Sequence, residues 1–185
     1  MSSYEQDTAY IIEALLEGLD KRRIGITMLA LVYSIEEHWR AKKWSQSDRC
    51  CEQLKWLAED PDMQDVSEID TTYAKGVAQI CWGAILLSQD SRDPQQRLEN
   101  AISFFHSSQS LFKEGNAPRS EAVAWLALGI AYQRQYELGI VHLKEHHWAE
   151  TLKALQRSLT ICQNLGDRLQ VDVVDRLAEV QELFR

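Results

Sequence analysis

One thirteen-residue pattern occurs twice in this chain, and it constrains the fold more than any other feature. Residues 121–133 (EAVAWLALGIAYQ) align without gaps on residues 75–87 (KGVAQICWGAILL), which places Gly83 under Gly129. The apolar residues of both copies follow the spacing of a buried helix face. Glycine at a fixed place removes a side chain and lets a second helix approach closely. The repetition therefore predicts helices packed in similar pairs along the chain.

The segments that follow the two copies also resemble each other. Residues 101–111 and 151–159 share apolar positions at helical spacing, and each contains a serine at the equivalent place. A weaker copy of the first segment lies at residues 29–33, with Ala30 at the glycine position. Ala30 precedes Gly83 by 53 residues, and Gly83 precedes Gly129 by 46. The sequence therefore predicts three helix pairs with a period of that size.

Helical periodicity occurs throughout the chain, and strand patterns are absent. Capping residues and prolines set the expected boundaries: Ser67 or Asp70 before the fourth helix, and Asp93 before the fifth. Gly166 is expected as a left-handed helix end. We predict eight helices, at residues 4–20, 24–42, 45–59, 67–89, 94–113, 118–145, 148–164 and 167–183.

Composition narrows the class of protein. The chain has 185 residues, enough for one domain, and a net charge of −8, which argues against a nucleic-acid partner. No signal-peptide pattern is present, and no apolar run approaches the roughly 20 residues that span a bilayer. Four cysteines without C-x-x-C spacing are best explained as buried free thiols in a reducing compartment. We therefore expect a cytoplasmic protein without membrane contact.

Residues 125–132 read W-x-x-L-G-x-x-Y, and this segment resembles the first helix of a tetratricopeptide repeat. The ending Leu165-Gly166-Asp167-Arg168 resembles repeats attached to bacterial signalling ATPases, transcription regulators and caspase-like proteases. The resemblance implies an all-α, right-handed superhelix of elongated hairpins in one domain. Its expected parts are an N-terminal helix at 4–20, repeats at 24–59, 67–113 and 118–165, and a capping helix at 167–184, within a domain of residues 1–185.

The resemblance also implies that the first helix of each pair lines a concave groove that binds a partner. The expected groove residues are mostly apolar, which favours an amphipathic helix as the occupant. Residues 4–20 of the chain itself could fill the groove instead, and a second copy of the chain is a further possibility. The groove positions are Val77, Ile80, Ala84, Leu87, Val123, Leu126, Ile130, Gln133 and Arg134.

The expected function is a non-catalytic scaffold, adaptor or regulatory subunit for another protein, with no cofactor, because such repeats build binding surfaces. One alternative is a sensor of a small ligand or signalling peptide that controls an effector. A remote alternative is a metal-dependent hydrolase, because residues 142–146 match H-x-x-E-H. On a helix, His142 and His146 would share one face. No other catalytic pattern is present.

Overall fold

The structure, a computed structural model, describes residues 3–59, 70–89, 93–138 and 144–183, except for the side chains of Arg22 and Lys144. These residues form helices and no strands, as predicted. None of the helices in these ranges is both long and apolar enough to cross a membrane. The eight described helices are α1 (Ser3–Gly18), α2 (Lys21–Arg40), α3 (Trp44–Glu59), α4 (Thr71–Ser88), α5 (Pro94–Glu114), α6 (Pro118–Glu137), α7 (Lys144–Leu165) and α8 (Leu169–Glu182).

Local capping chemistry sets several helix ends where the sequence predicts them. The Asp70 carboxylate accepts a hydrogen bond from the Tyr73 amide at 3.0 Å, and Asp93 accepts one from the Gln96 amide at 3.0 Å. Pro94 opens α5, where its missing N–H costs nothing. Gly166 has a φ of 62° after α7, which confirms the predicted left-handed end. The alternative cap Ser67 lies outside the described residues.

Several predicted boundaries differ from the structure: α1 ends at Gly18 rather than at residue 20, and α7 begins at Lys144 rather than at residue 148. Helix α2 begins at Lys21 rather than at residue 24, and it contains a non-helical Gly25 with φ 67° and ψ 169°. The sixth helix does not extend to Glu145, because α6 ends at Glu137 and Glu145 lies in the first turn of α7. The helical periodicity continues across both breaks, so periodicity alone could not locate them.

Helices that are adjacent in sequence pack against each other in pairs. The most extensive contacts join α6 with α7 and α4 with α5, followed by α5 with α6 and then α2 with α3. A methyl group on Gly83 would lie 2.5 Å from Cε1 of Phe105, and one on Gly129 would lie 2.7 Å from Leu155 Cγ. The predicted close approach at both glycines is therefore confirmed.

The core continues through all of these layers, and it contains the four cysteines. Cys50, Cys51, Cys81 and Cys162 are all buried and free, as the sequence predicts. Burial raises the pKa of the Cys81 thiol to about 12. Burial also raises the pKa of Cys51 well above its usual value. These thiols are therefore protonated and enclosed at neutral pH.

Helix α1 departs from the sequential pairing. Its contacts with α2, the next helix in the chain, are few, and it packs against α4 and α6 instead. Ile11, Ile12 and Leu15 form its buried face, each at most 1% exposed. Helix α1 therefore packs against the first helix of the α4–α5 pair and the first helix of the α6–α7 pair.

Candidate helix-binding groove

All nine predicted groove residues are buried in the structure. Seven of them have no exposed surface, while Gln133 is 6% and Arg134 is 7% exposed. Helix α1 packs against both helices that carry these residues, α4 and α6. A partner that bound at these residues would therefore have to displace a packed part of the structure. The partner-binding role of these residues therefore stays a prediction, and so does the alternative that residues 4–20 fill a groove, toward which the structure contributes the packing of α1 against α4 and α6.

Contacts at both ends of α1 define its direction. The Thr8 hydroxyl donates to the Ala84 carbonyl at 2.8 Å, near the end of α4. The amide of Asp20, just after α1, donates to the Tyr73 hydroxyl at 2.9 Å, near the beginning of α4. Helix α1 therefore runs antiparallel to α4.

The strongest polar contact in the groove surrounds Asp7, whose residue surface is only 4% exposed. One carboxylate oxygen accepts from Arg134 Nε at 2.6 Å and lies 2.5 Å from Arg134 Nη2. The other oxygen accepts from Arg176 Nη2 of α8 at 2.8 Å. Two helices far apart in sequence thus bind one carboxylate of α1, and charge-assisted pairs of this kind are among the strongest hydrogen bonds in proteins.

Both arginines are held in place by a second acidic residue. Arg134 Nη1 donates to Glu137 at 2.5 Å, and Arg176 Nη1 donates to Glu179 at 3.1 Å. The Tyr4 ring lies 4.8 Å from the Arg134 guanidinium carbon, at a distance typical of cation–π contacts. These contacts leave Nε and Nη2 of Arg134 directed at the position that Asp7 occupies.

Burial dominates the electrostatics of this cluster. It raises the pKa of Asp7 above the usual value, and the charges of Arg176 and Arg134 act in the opposite direction. Burial also works against the charge on Arg134, but Asp7 and Glu137 hold its pKa above the usual value. Removing one partner from such a buried set leaves a hydrogen-bonding group of another member unsatisfied, which costs about 1–3 kcal/mol. Any helix in the position of α1 must therefore supply acceptors for the hydrogen bonds of this cluster.

Arg119 binds the other end of α1. Its Nη1 donates to the Ala14 carbonyl in the last turns of α1 at 2.5 Å. Its Nε donates to Asp167 at 3.0 Å. A methyl group on Gly18 would overlap the Arg119 side chain, so the arginine can take this position only because residue 18 has no side chain. Arg119 was not among the residues predicted from the sequence, although it directly follows Pro118, which opens α6.

A solvent-open cleft of about 440 Å³ lies beside the Asp7 cluster, between α1, α6 and α8. Within the described part of the chain, two buried polar atoms at this cleft have no hydrogen-bond partner, the Tyr10 hydroxyl and Arg176 Nε. Burial and the nearby Asp172 raise the pKa of Tyr10. Acidic side chains line much of this cleft, namely Asp7, Asp172, Asp175 and Glu179.

The structure describes only one of the two histidines on which the remote hydrolase alternative depends. His142 lies outside the described residues, and His146 is exposed in the first turn of α7. Within the described ranges, no group of three potential metal ligands lies together. The hydrolase and sensor alternatives both stay predictions.

Comparison of the chain with protein-family models, with curated proteins and with solved structures gives no match in any of the three.

Proposed function

We propose that this chain is a non-catalytic protein-interaction module that binds an amphipathic helix of a partner protein. In this proposal, α2–α3, α4–α5 and α6–α7 are three elongated hairpins of the tetratricopeptide type in a right-handed superhelix, and α8 caps the array. The close contacts at Gly83 and Gly129 support that likeness, because both occur at the repeated glycine position. The partner would be an effector, such as a protease or a signalling ATPase.

The observation that carries the proposal is α1 itself. An amphipathic helix lies against α4 and α6, buries Ile11, Ile12 and Leu15, and is bound by arginines at both ends. Burial of three such side chains contributes roughly 1.5–3 kcal/mol each. The groove thus has the shape, apolarity and terminal donors that a helix requires. Helix-in-groove binding is a common mode of peptide recognition.

The proposal gives α1 a regulatory role, since a partner helix and α1 compete for one surface. Only Leu19 and Asp20 connect α1 to α2, so α1 stays close to the groove when it dissociates. A short tether gives an effective concentration on the order of millimolar, and an untethered helix must exceed that to compete. The adaptor would therefore remain closed until a partner of high affinity or high local concentration replaces α1.

The test uses the full chain with a specific protease site inserted between Leu19 and Asp20. After folding and cleavage, the groove is filled by an untethered helix that a fluorescent peptide of residues 3–19 can replace. Fluorescence anisotropy should show saturable binding of one peptide per protein. The uncut protein should bind the same peptide at least about 100-fold more weakly, because the tether is intact.

A peptide with Ile12→Asp and Leu15→Asp serves as the matched control, because it keeps its length but loses the apolar face. Equal binding of the control and native peptides would contradict recognition in the groove. So would failure of the labelled native peptide to exchange over several days at high excess, with the cut protein still helical by circular dichroism.

A further inference from the structure

We infer that the partner helix carries a carboxylate at the position of Asp7, and that Arg134 and Arg176 together recognise it. This inference rests on the proposed function, and it specifies the chemistry of the partner. A helix that is only apolar on one face would fill the groove without satisfying the two arginines.

The geometry of the arginines supports this inference. Their side chains are largely buried, with 9% exposure for Arg134 and 18% for Arg176. Glu137 and Glu179 each bind an Nη1 atom, on the side away from Asp7. A partner without a carboxylate would leave Nε and Nη2 of Arg134 and Nη2 of Arg176 without the acceptor that Asp7 supplies. Unpaired buried donors penalise the wrong ligand, and this is how polar groups generate specificity.

The groove also fixes where the carboxylate must lie along the partner helix. In α1 the acid is followed by a hydroxyl at the next residue, Thr8, which donates to the Ala84 carbonyl. The buried apolar residues come four, five and eight residues after the acid, at Ile11, Ile12 and Leu15. Gly18 follows the acid by eleven residues, where a side chain would meet Arg119.

These positions define a recognisable pattern. The partner helix has an acidic residue near its N-terminus, a small polar residue after it, apolar residues at the spacing given above and a glycine near its C-terminal end. It binds antiparallel to α4, as α1 does. A helix with the same composition but with the acid shifted by two residues would place the carboxylate on another face and should not satisfy Arg134 and Arg176.

The experiment compares peptides on the cleaved protein described above. The native peptide of residues 3–19 is measured beside one with Asp7→Asn and one with Glu13→Gln. Each variant removes one carboxylate charge. Glu13 is the matched control, because its partner Arg40 is 48% exposed in its side chain and exposed pairs contribute little. We expect the Asp7→Asn peptide to bind at least about 10-fold more weakly and the Glu13→Gln peptide to bind within about twofold of the native peptide.

A second measurement tests whether the two arginines are the cause. The native peptide should bind the Arg176→Gln protein more weakly than it binds the protein with Arg176. The Asp7→Asn peptide, which lacks the carboxylate, should bind both proteins with similar affinity. If this variant does not fold, the peptide comparison on the native groove still decides the question.

The outcomes separate the inference from the function on which it rests. If the native and Asp7→Asn peptides bind equally, the inference is wrong and helix binding in the groove stands. If no peptide exchanges, the proposed function fails, and the inference fails with it.

Discussion

Replacing Gly83 with alanine should destabilise the protein, although alanine is the better helix former. The reason is the contact between α4 and α5. The new methyl group would lie 2.5 Å from Cε1, 2.8 Å from Cδ1 and 3.0 Å from Cζ of Phe105. Phe105 has no exposed surface, so its ring cannot turn outward without disturbing the core.

The expected size follows from two opposing effects. Overpacking of a filled core costs about 1–3 kcal/mol. Alanine in place of glycine inside a helix contributes about 1 kcal/mol in the other direction. The free energy of unfolding should therefore fall by about 1 kcal/mol, and it should fall further with Gly83→Val, which adds two more methyl groups at the same place.

Urea denaturation of four chains tests this reasoning: the native protein, Gly83→Ala, Phe105→Ala and the double variant. Phe105→Ala alone should cost about 3–5 kcal/mol because it leaves a cavity. In that background Gly83→Ala should stabilise the chain by about 1 kcal/mol, because the clash is gone and the helix preference remains. An equal effect of Gly83→Ala in both backgrounds would refute the contact.

Three further predictions concern the buried thiols, Gly25 and Asp70. Cys81 and the other three thiols should react slowly with Ellman's reagent at pH 8 in the native protein, because burial raises their pKa values. All four should react completely in guanidinium chloride. Fast labelling of Cys81 in the native protein would be inconsistent with its burial. Gly25→Ala should lower the unfolding free energy by about 1–3 kcal/mol in urea titrations, since φ 67° with ψ 169° is a glycine conformation; an unchanged midpoint would contradict that backbone. Burial opposes ionisation of Asp70, but the Tyr73 amide and Arg23 hold its pKa below the usual value. Asp70 therefore contributes to the free energy of unfolding above pH 4, and this contribution is lost as the pH falls through the lowered pKa. Asp70→Asn, which keeps a capping oxygen, should therefore reduce stability at pH 6 and have a diminishing effect below pH 4, and a difference independent of pH would refute this.

The positions of most helices could be predicted from the sequence, because their ends depend on local chemistry. Asp93 followed by Pro94 marks the start of α5, and Gly166 marks the end of α7. Such residues act on neighbours within one turn, so the sequence around them contains the information. Two of the misplaced boundaries lie where no capping residue interrupts the apolar pattern, at the start of α2 near Gly25 and at the end of α6.

The place of α1 could not be predicted, because an apolar stripe shows that a helix buries one face and does not show against what. The sequence allowed residues 4–20 either to cap the array or to fill the groove. The choice depends on contacts across long separations, such as Asp7 with Arg134, which are 127 residues apart. Arg134 was among the predicted groove residues, but its partner on α1 and the second arginine, Arg176, were not.

Nuclear magnetic resonance on the intact chain tests most directly whether α1 lies between α4 and α6. This placement of α1 predicts Overhauser effects between Thr8 and Ala84, because the Thr8 hydroxyl oxygen lies 2.8 Å from the backbone carbonyl oxygen of Ala84. It also predicts that a soluble paramagnetic probe leaves the methyl signals of Ile80 and Leu126 sharp, since neither residue is exposed. Absence of the Thr8–Ala84 effect together with broadened Ile80 and Leu126 signals would show an open groove and contradict the account.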